Sequence, residues 1–117
     1  MDTRLQEALD FSNYRLTLST QLENIKIKFQ NDLLVTYGSS IFVASKENIF
    51  LCNHLLQEGL TQFPFEDVSG RPVMIDDLSK FESLLDNIYK RAMTEYYNEY
   101  TSIAKSRNIK KVVGYDE

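Results

Sequence analysis

Phe11, Tyr14, Leu18, Leu22, Ile25 and Phe29 follow one another at intervals of three or four residues, with polar side chains between them. That interval places all six on one narrow face of an α-helix. Two shorter stretches inside the same segment, "YRLTL" and "IKIKF", alternate apolar and polar residues with the period of a strand. A helix accounts for these too. On a helical wheel Leu5, Leu9, Leu16, Ile27 and Leu34 gather on roughly the opposite face, so the alternation arises from two apolar stripes read in turn. The pattern predicts one helix over about residues 2–32.

Chain breakers concentrate in the middle. Gly38, Gly59, Pro64, Gly70 and Pro72 lie there, and the long flanks before residue 38 and from 73 to 113 have no glycine or proline. "LLVTYGSSIFVAS" reads as a hairpin over about 33–44, turning at Tyr37–Ser40 with Gly38 available for positive φ. Ser45 then stands where an N-cap belongs, Glu47 suits a first helical turn, and Gly59 marks a helix end. The short helix so bounded, about 46–58, is apolar on most sides, which predicts burial beneath the rest of the fold. "FPFEDVSGRPVMI" predicts a second hairpin over about 62–75, turning from Asp67 to Arg71, with Gly70 serving the turn. Asp76 or Asp77 caps a last helix over about 77–107, before a basic tail at 108–117. Its stripe is Leu78, Phe81, Leu85, Ile88, Tyr89, Ala92, Tyr96, Tyr100 and Ile103. Three of the four tyrosines between residues 89 and 100 thus fall on the buried side, lining a helix–helix seam with their hydroxyls at the wet rim. Tyr97 falls beyond its edge. The expected fold is a single α+β domain, mainly helical, in which two long antiparallel helices flank two β-hairpins and one short helix.

Composition changes this picture only at its margins. The 117 residues are 43% hydrophobic and 12% aromatic, enough for a modest core without disulfide or metal. A net charge of -4 and a pI near 5.0 argue against a general polyanion binder, which needs positive charge to displace counterions. Cys52 is the single cysteine, so no internal disulfide forms, and a lone thiol suits a reducing cytosol. No apolar run approaches the ~18 residues of a membrane span, and the acidic, amphipathic N-terminus does not read as a signal peptide. A cytoplasmic location is expected.

Candidate chemistry is sparse. Cys52 and His54 are two residues apart, so on a helix their side chains diverge by about 200° and form no thiol–imidazole dyad. Glu66-Asp67 and Asp76-Asp77 lack the surrounding spacing of a calcium loop and read as a turn and a helix cap. "VSGRP" has no following phosphate-loop lysine. Lys105, Arg107, Lys110 and Lys111, downstream of Tyr96, Tyr97 and Tyr100, are the residues suited to nucleic-acid contact by stacking and charge. They equally complement the negative end of the helix dipole, which is the preferred reading. From Glu58 to Asp86 seven acids face only Arg71 and Lys80, so acidic and basic segments suit head-to-tail contacts between copies. No nucleophile, base and orienting group assemble in the pattern. No enzymatic activity, cofactor, metal or small-molecule substrate is expected.

The order of elements resembles a group of small uncharacterised proteins of T4-like marine phages. The residues that carry the resemblance are "LLVTYGSSIF", the apolar helix ending "LLQEG", "DVSGRPVMIDDLSKF" and "NEYTSIAKSRNIKKVV", spanning roughly residues 25–113. It implies a role in virion morphogenesis, as a head-assembly or prohead-core accessory, with other virion proteins as partners, and it implies no catalytic residues. The expected function is therefore a non-enzymatic assembly protein. The alternative is a small nucleic-acid-associated or regulatory protein acting through the basic C-terminal segment. A helix of ~30 residues is ~45 Å long, more than the ~35 Å diameter of a globule of this chain length. The second stripe of the first helix is then left partly to water. Leu5, Leu9, Leu16, Ile27 and Leu34, with Tyr96, Tyr97 and Tyr100 at the margin, are the residues expected to bring copies of the chain together.

Overall fold

A computed structural model describes residues 2–112, with side-chain environments through Lys105. The elements run α1 (Thr3–Asp32), β1 (Leu34–Tyr37), β2 (Ser40–Val43), α2 (Lys46–Gln57), β3 (Phe63–Glu66), β4 (Pro72–Ile75) and α3 (Leu78–Val112). Two long helices flank a short one and two antiparallel two-stranded sheets, the α+β, mainly helical class expected of the pattern. The strand-like alternation at Tyr14–Leu18 and Ile25–Phe29 lies wholly within α1. The last helix continues to Val112, so the basic residues from 108 begin inside it. The chain gathers into two compact units: the residues up to Lys28 with those from Glu95, and Phe29–Thr94.

The Phe29–Thr94 unit holds the core. β1 and β2 pair with Val35 opposite Phe42 and Tyr37 opposite Ser40 around a two-residue turn, and β3 and β4 pair with Phe65 opposite Val73. With side chains alternating across each strand, Val35 and Phe42 face inward, as do Phe65 and Ile75, while Leu34, Ile41 and Met74 face out. Ile49, Cys52 and Leu55 of α2 and Leu78, Phe81, Leu85 and Ala92 of α3 complete the buried set. Phe81 is its centre. Its ring meets those of Tyr37, Phe42 and Phe65 edge-on, at centroid distances of 5.1, 5.2 and 5.3 Å.

Local hydrogen bonds explain where elements start and stop. Ser45 caps α2 by accepting from the Asn48 N–H at 3.2 Å, while Asn48 Nδ2 donates to the Val43 carbonyl at 2.8 Å. At the other end the Gly59 N–H donates to the Leu56 carbonyl and the Leu60 N–H to the Leu55 carbonyl, the paired bonds of a Schellman motif. Between the two cap candidates for α3, it is Asp77 whose Oδ1 accepts from the Lys80 N–H at 3.1 Å. Asp67 Oδ1 takes three donors: Ser69 Oγ at 2.7 Å, and the backbone N–H groups of Ser69 and Arg71 at 3.0 Å each. Its pKa is lowered, first by the Ser69 hydroxyl and then by the Arg71 N–H. The turn that Asp67 organises is joined to the first hairpin, because the Val68 N–H donates to the Ile41 carbonyl at 2.8 Å.

Short α2 departs from its expected burial. Only one side of a twelve-residue helix faces the core, and the other leaves Phe50 66% and Leu51 44% exposed.

Candidate interaction faces

Among the described residues, the unit formed by those up to Lys28 and from Glu95 is built from parts of α1 and α3. In it Phe11, Tyr14, Leu18, Leu22 and Ile25 are half-buried, as are Tyr96, Ile103 and Ala104. Among the described residues each helical segment of this unit has the other to bury against, so these stripes form the seam expected between the two. Lys28 fastens it. Its ammonium donates to Glu95 at 3.0 Å and to Glu99, and these carboxylates, Glu99 foremost, raise its pKa above the ordinary lysine value. All three side chains are exposed enough that the pairs orient the helices more than they stabilise them.

The second stripe of α1 turns to water over its whole length. Leu5 is 52% exposed, Leu9 44%, Leu16 68% and Ile27 48%. All four are exposed, where the pattern expected only part of the stripe to be left to water. Leu34 leaves the set altogether: α1 ends at Asp32, and Leu34 sits in β1 on the outward face opposite Val43. Arg15 stands at the border of the two stripes, its guanidinium 5.8 Å from the centre of the Phe11 ring.

The tyrosines divide differently from the sequence pattern. Tyr89 and Tyr96 are half-buried, but Tyr100 is 51% exposed and, with Tyr97, faces water. On the wheel Tyr100 lies about 80° from the line through Phe81, Leu85 and Ala92. The half-buried position one residue earlier goes to Glu99, drawn in by Lys28. Among the nucleic-acid candidates, Lys105 is exposed, and the side chains of Arg107, Lys110 and Lys111 fall outside the described residues.

Cys52 and His54 lie apart in environment as well as direction. Cys52 is fully buried and donates its S–H to the Leu78 carbonyl at 3.3 Å, whereas His54 is exposed and bonded to Glu58 at 2.8 Å. Burial, with the nearby Glu82 charge, pushes the Cys52 thiol up to about 11 from an ordinary value of 9.0. The thiolate fraction near pH 8 is then roughly 100-fold lower than in an unfolded chain. Cys52 is accordingly expected to react with a thiol reagent at least that much more slowly in buffer than in urea. Labelling at equal rates would place the thiol at the surface. The raised value also favours folding below pH ~9, and that contribution is lost as pH rises towards 11 because the unfolded chain releases its proton first.

Among the described residues no group of three His, Cys, Asp or Glu side chains is placed to hold a metal ion, and no helix is long and apolar enough to cross a membrane. Comparison with protein-family models, curated proteins and solved structures gives no match.

Proposed function

We propose that this chain is a non-enzymatic assembly protein that acts by associating with copies of itself. The observation that carries the reading is the row of large apolar side chains at Leu5, Leu9, Leu16 and Ile27, in line along α1 and open to solvent. Single exposed leucines are ordinary on a protein surface, but an aligned apolar row marks a contact face. The resemblance to phage proteins supplies the setting: virion morphogenesis, with other virion proteins as further partners and the host cytoplasm or the particle as location.

A second reading keeps some support. Tyr97 and Tyr100 present their rings to solvent upstream of Lys105, an arrangement able to stack on unpaired bases. The net charge of -4 weighs against it.

Light scattering tests the first reading. At micromolar concentration the wild type is expected to run as an oligomer, with Leu9→Glu and Leu16→Glu shifting it to the 13.6 kDa monomer at unchanged helicity. A wild type that stays monomeric at high concentration overturns self-association, and salt-dependent retention of single-stranded DNA or RNA would then favour the second reading.

A further inference from the structure

α1 is a helix of 30 residues without one buried side chain. Among the described residues, the thirteen buried apolar side chains all belong to the Phe29–Thr94 unit, and the unit formed up to Lys28 and from Glu95 has none. A half-buried side chain gains only part of the free energy of full burial, so the two units differ in stability as well as in packing.

Local preference does not make up the difference. Over residues 12–20, six of nine positions (Ser12, Asn13, Tyr14, Thr17, Ser19 and Thr20) carry weaker helix formers, and the whole of α1 holds one alanine, Ala8. A helix of that composition is marginal in water by itself, so its order depends on the face it covers. That face is the seam with α3. The ion pairs described across it both run to Lys28, which is itself exposed. The core marks where this weak segment ends: Phe29 packs against it and Leu33 belongs to it, and on α3 the last buried residue described is Ala92.

We infer that α1 up to Lys28 and α3 from Glu95 open together as one low-stability piece while the Phe29–Thr94 unit stays folded. Opening is cooperative because each segment covers the other. Once α3 leaves the stripe of Phe11, Tyr14, Leu18, Leu22 and Ile25, residues 12–20 lose the packing that keeps them helical. Leu5, Leu9, Leu16 and Ile27 form a row only while α1 is a helix, so closure of the seam gates the use of that row. The gate rests on the self-association proposed above; the opening does not.

Native-state hydrogen exchange, read by mass spectrometry on the full chain, is the test. In dilute protein the amides of residues 3–25 and 95–105 are expected to exchange at least ~100-fold faster, relative to their intrinsic rates, than those around Phe42, Ile75 and Phe81. Ile75→Val weakens the core, so it should lower protection there roughly two- to tenfold and leave the seam unchanged. Leu22→Ala weakens the seam from the α1 side alone. It should lower protection roughly tenfold in residues 3–25 and also in 95–105, with the core unchanged. Seam amides that lose protection along with the core in Ile75→Val open only when the whole chain unfolds, which overturns the inference. A loss confined to α1 in Leu22→Ala also overturns it, because the two helices then fray independently.

Raising the concentration separates the gate from the self-association it depends on. An oligomer by light scattering should raise protection in both seam segments and not in the core, since association favours the closed state. An oligomer that leaves seam protection unchanged overturns the gate. A chain that stays monomeric removes self-association and the gate together, while exchange in dilute protein decides the opening by itself.

Discussion

Phe81→Ala is expected to lower the unfolding free energy by about 3–5 kcal/mol, the range for emptying a buried phenylalanine site. Phe81 has no solvent exposure, and its ring is the common neighbour of Tyr37, Phe42 and Phe65. Those three rings come from both hairpins and cannot all close on one void, so most of the cavity cost remains. Each edge-on pair adds ~0.5–1.5 kcal/mol beyond the area it buries. Against the total stability of about 5–15 kcal/mol usual for a domain, such a loss leaves the folded state marginal. Urea denaturation followed by near-ultraviolet circular dichroism is the measurement, because without tryptophan that signal comes from tyrosine and phenylalanine packing. Phe81→Leu should recover part of the loss. A cost below ~1 kcal/mol for the alanine variant would mean that the hairpins do not meet α3 at this ring.

Gly59→Val should cost about 1–3 kcal/mol although it touches nothing. A Cβ at position 59 meets no atom within 4 Å, so crowding contributes nothing. The cost comes from the backbone: φ is +86°, a region that β-branched residues rarely enter. Relaxing φ would break the Gly59 and Leu60 N–H bonds to the Leu56 and Leu55 carbonyls and let the end of α2 fray. Gly59→Ala should fall between wild type and valine, and Gly59→Asn should cost less than alanine because asparagine tolerates this conformation. Equal melting temperatures for all four proteins would show that α2 does not end in this motif.

Most of what the sequence by itself determined concerns interactions within about five residues. The intervals of three and four along both flanks dictated long helices, and the period of two inside α1 yielded once both stripes were placed on one wheel. Ser45, Gly59 and Asp77 stop or start their helices through bonds to atoms three to five residues away, so residue type and position sufficed to find the first two and to narrow the last to Asp76 or Asp77. Gly38, Gly59 and Gly70 all take positive φ for the same local reason.

What only the tertiary structure decided depends on partners distant in sequence. α1 carries two apolar stripes, and although the pattern assigned the second of them partly to water, how much of it stays uncovered was not a local matter. The α3 segment of the same unit takes the Phe11–Ile25 side and leaves Leu5, Leu9, Leu16 and Ile27 outside. Glu99 rather than Tyr100 occupies the half-buried position on α3 because Lys28, far away in sequence, neutralises it there. Phe50 and Leu51 of α2 look as apolar as Ile49 and Cys52, yet a single neighbouring core covers only one side of a short helix. A hydrophobic pattern records which side chains favour burial. Which of them are buried depends on how much covering surface the rest of the chain brings to each face.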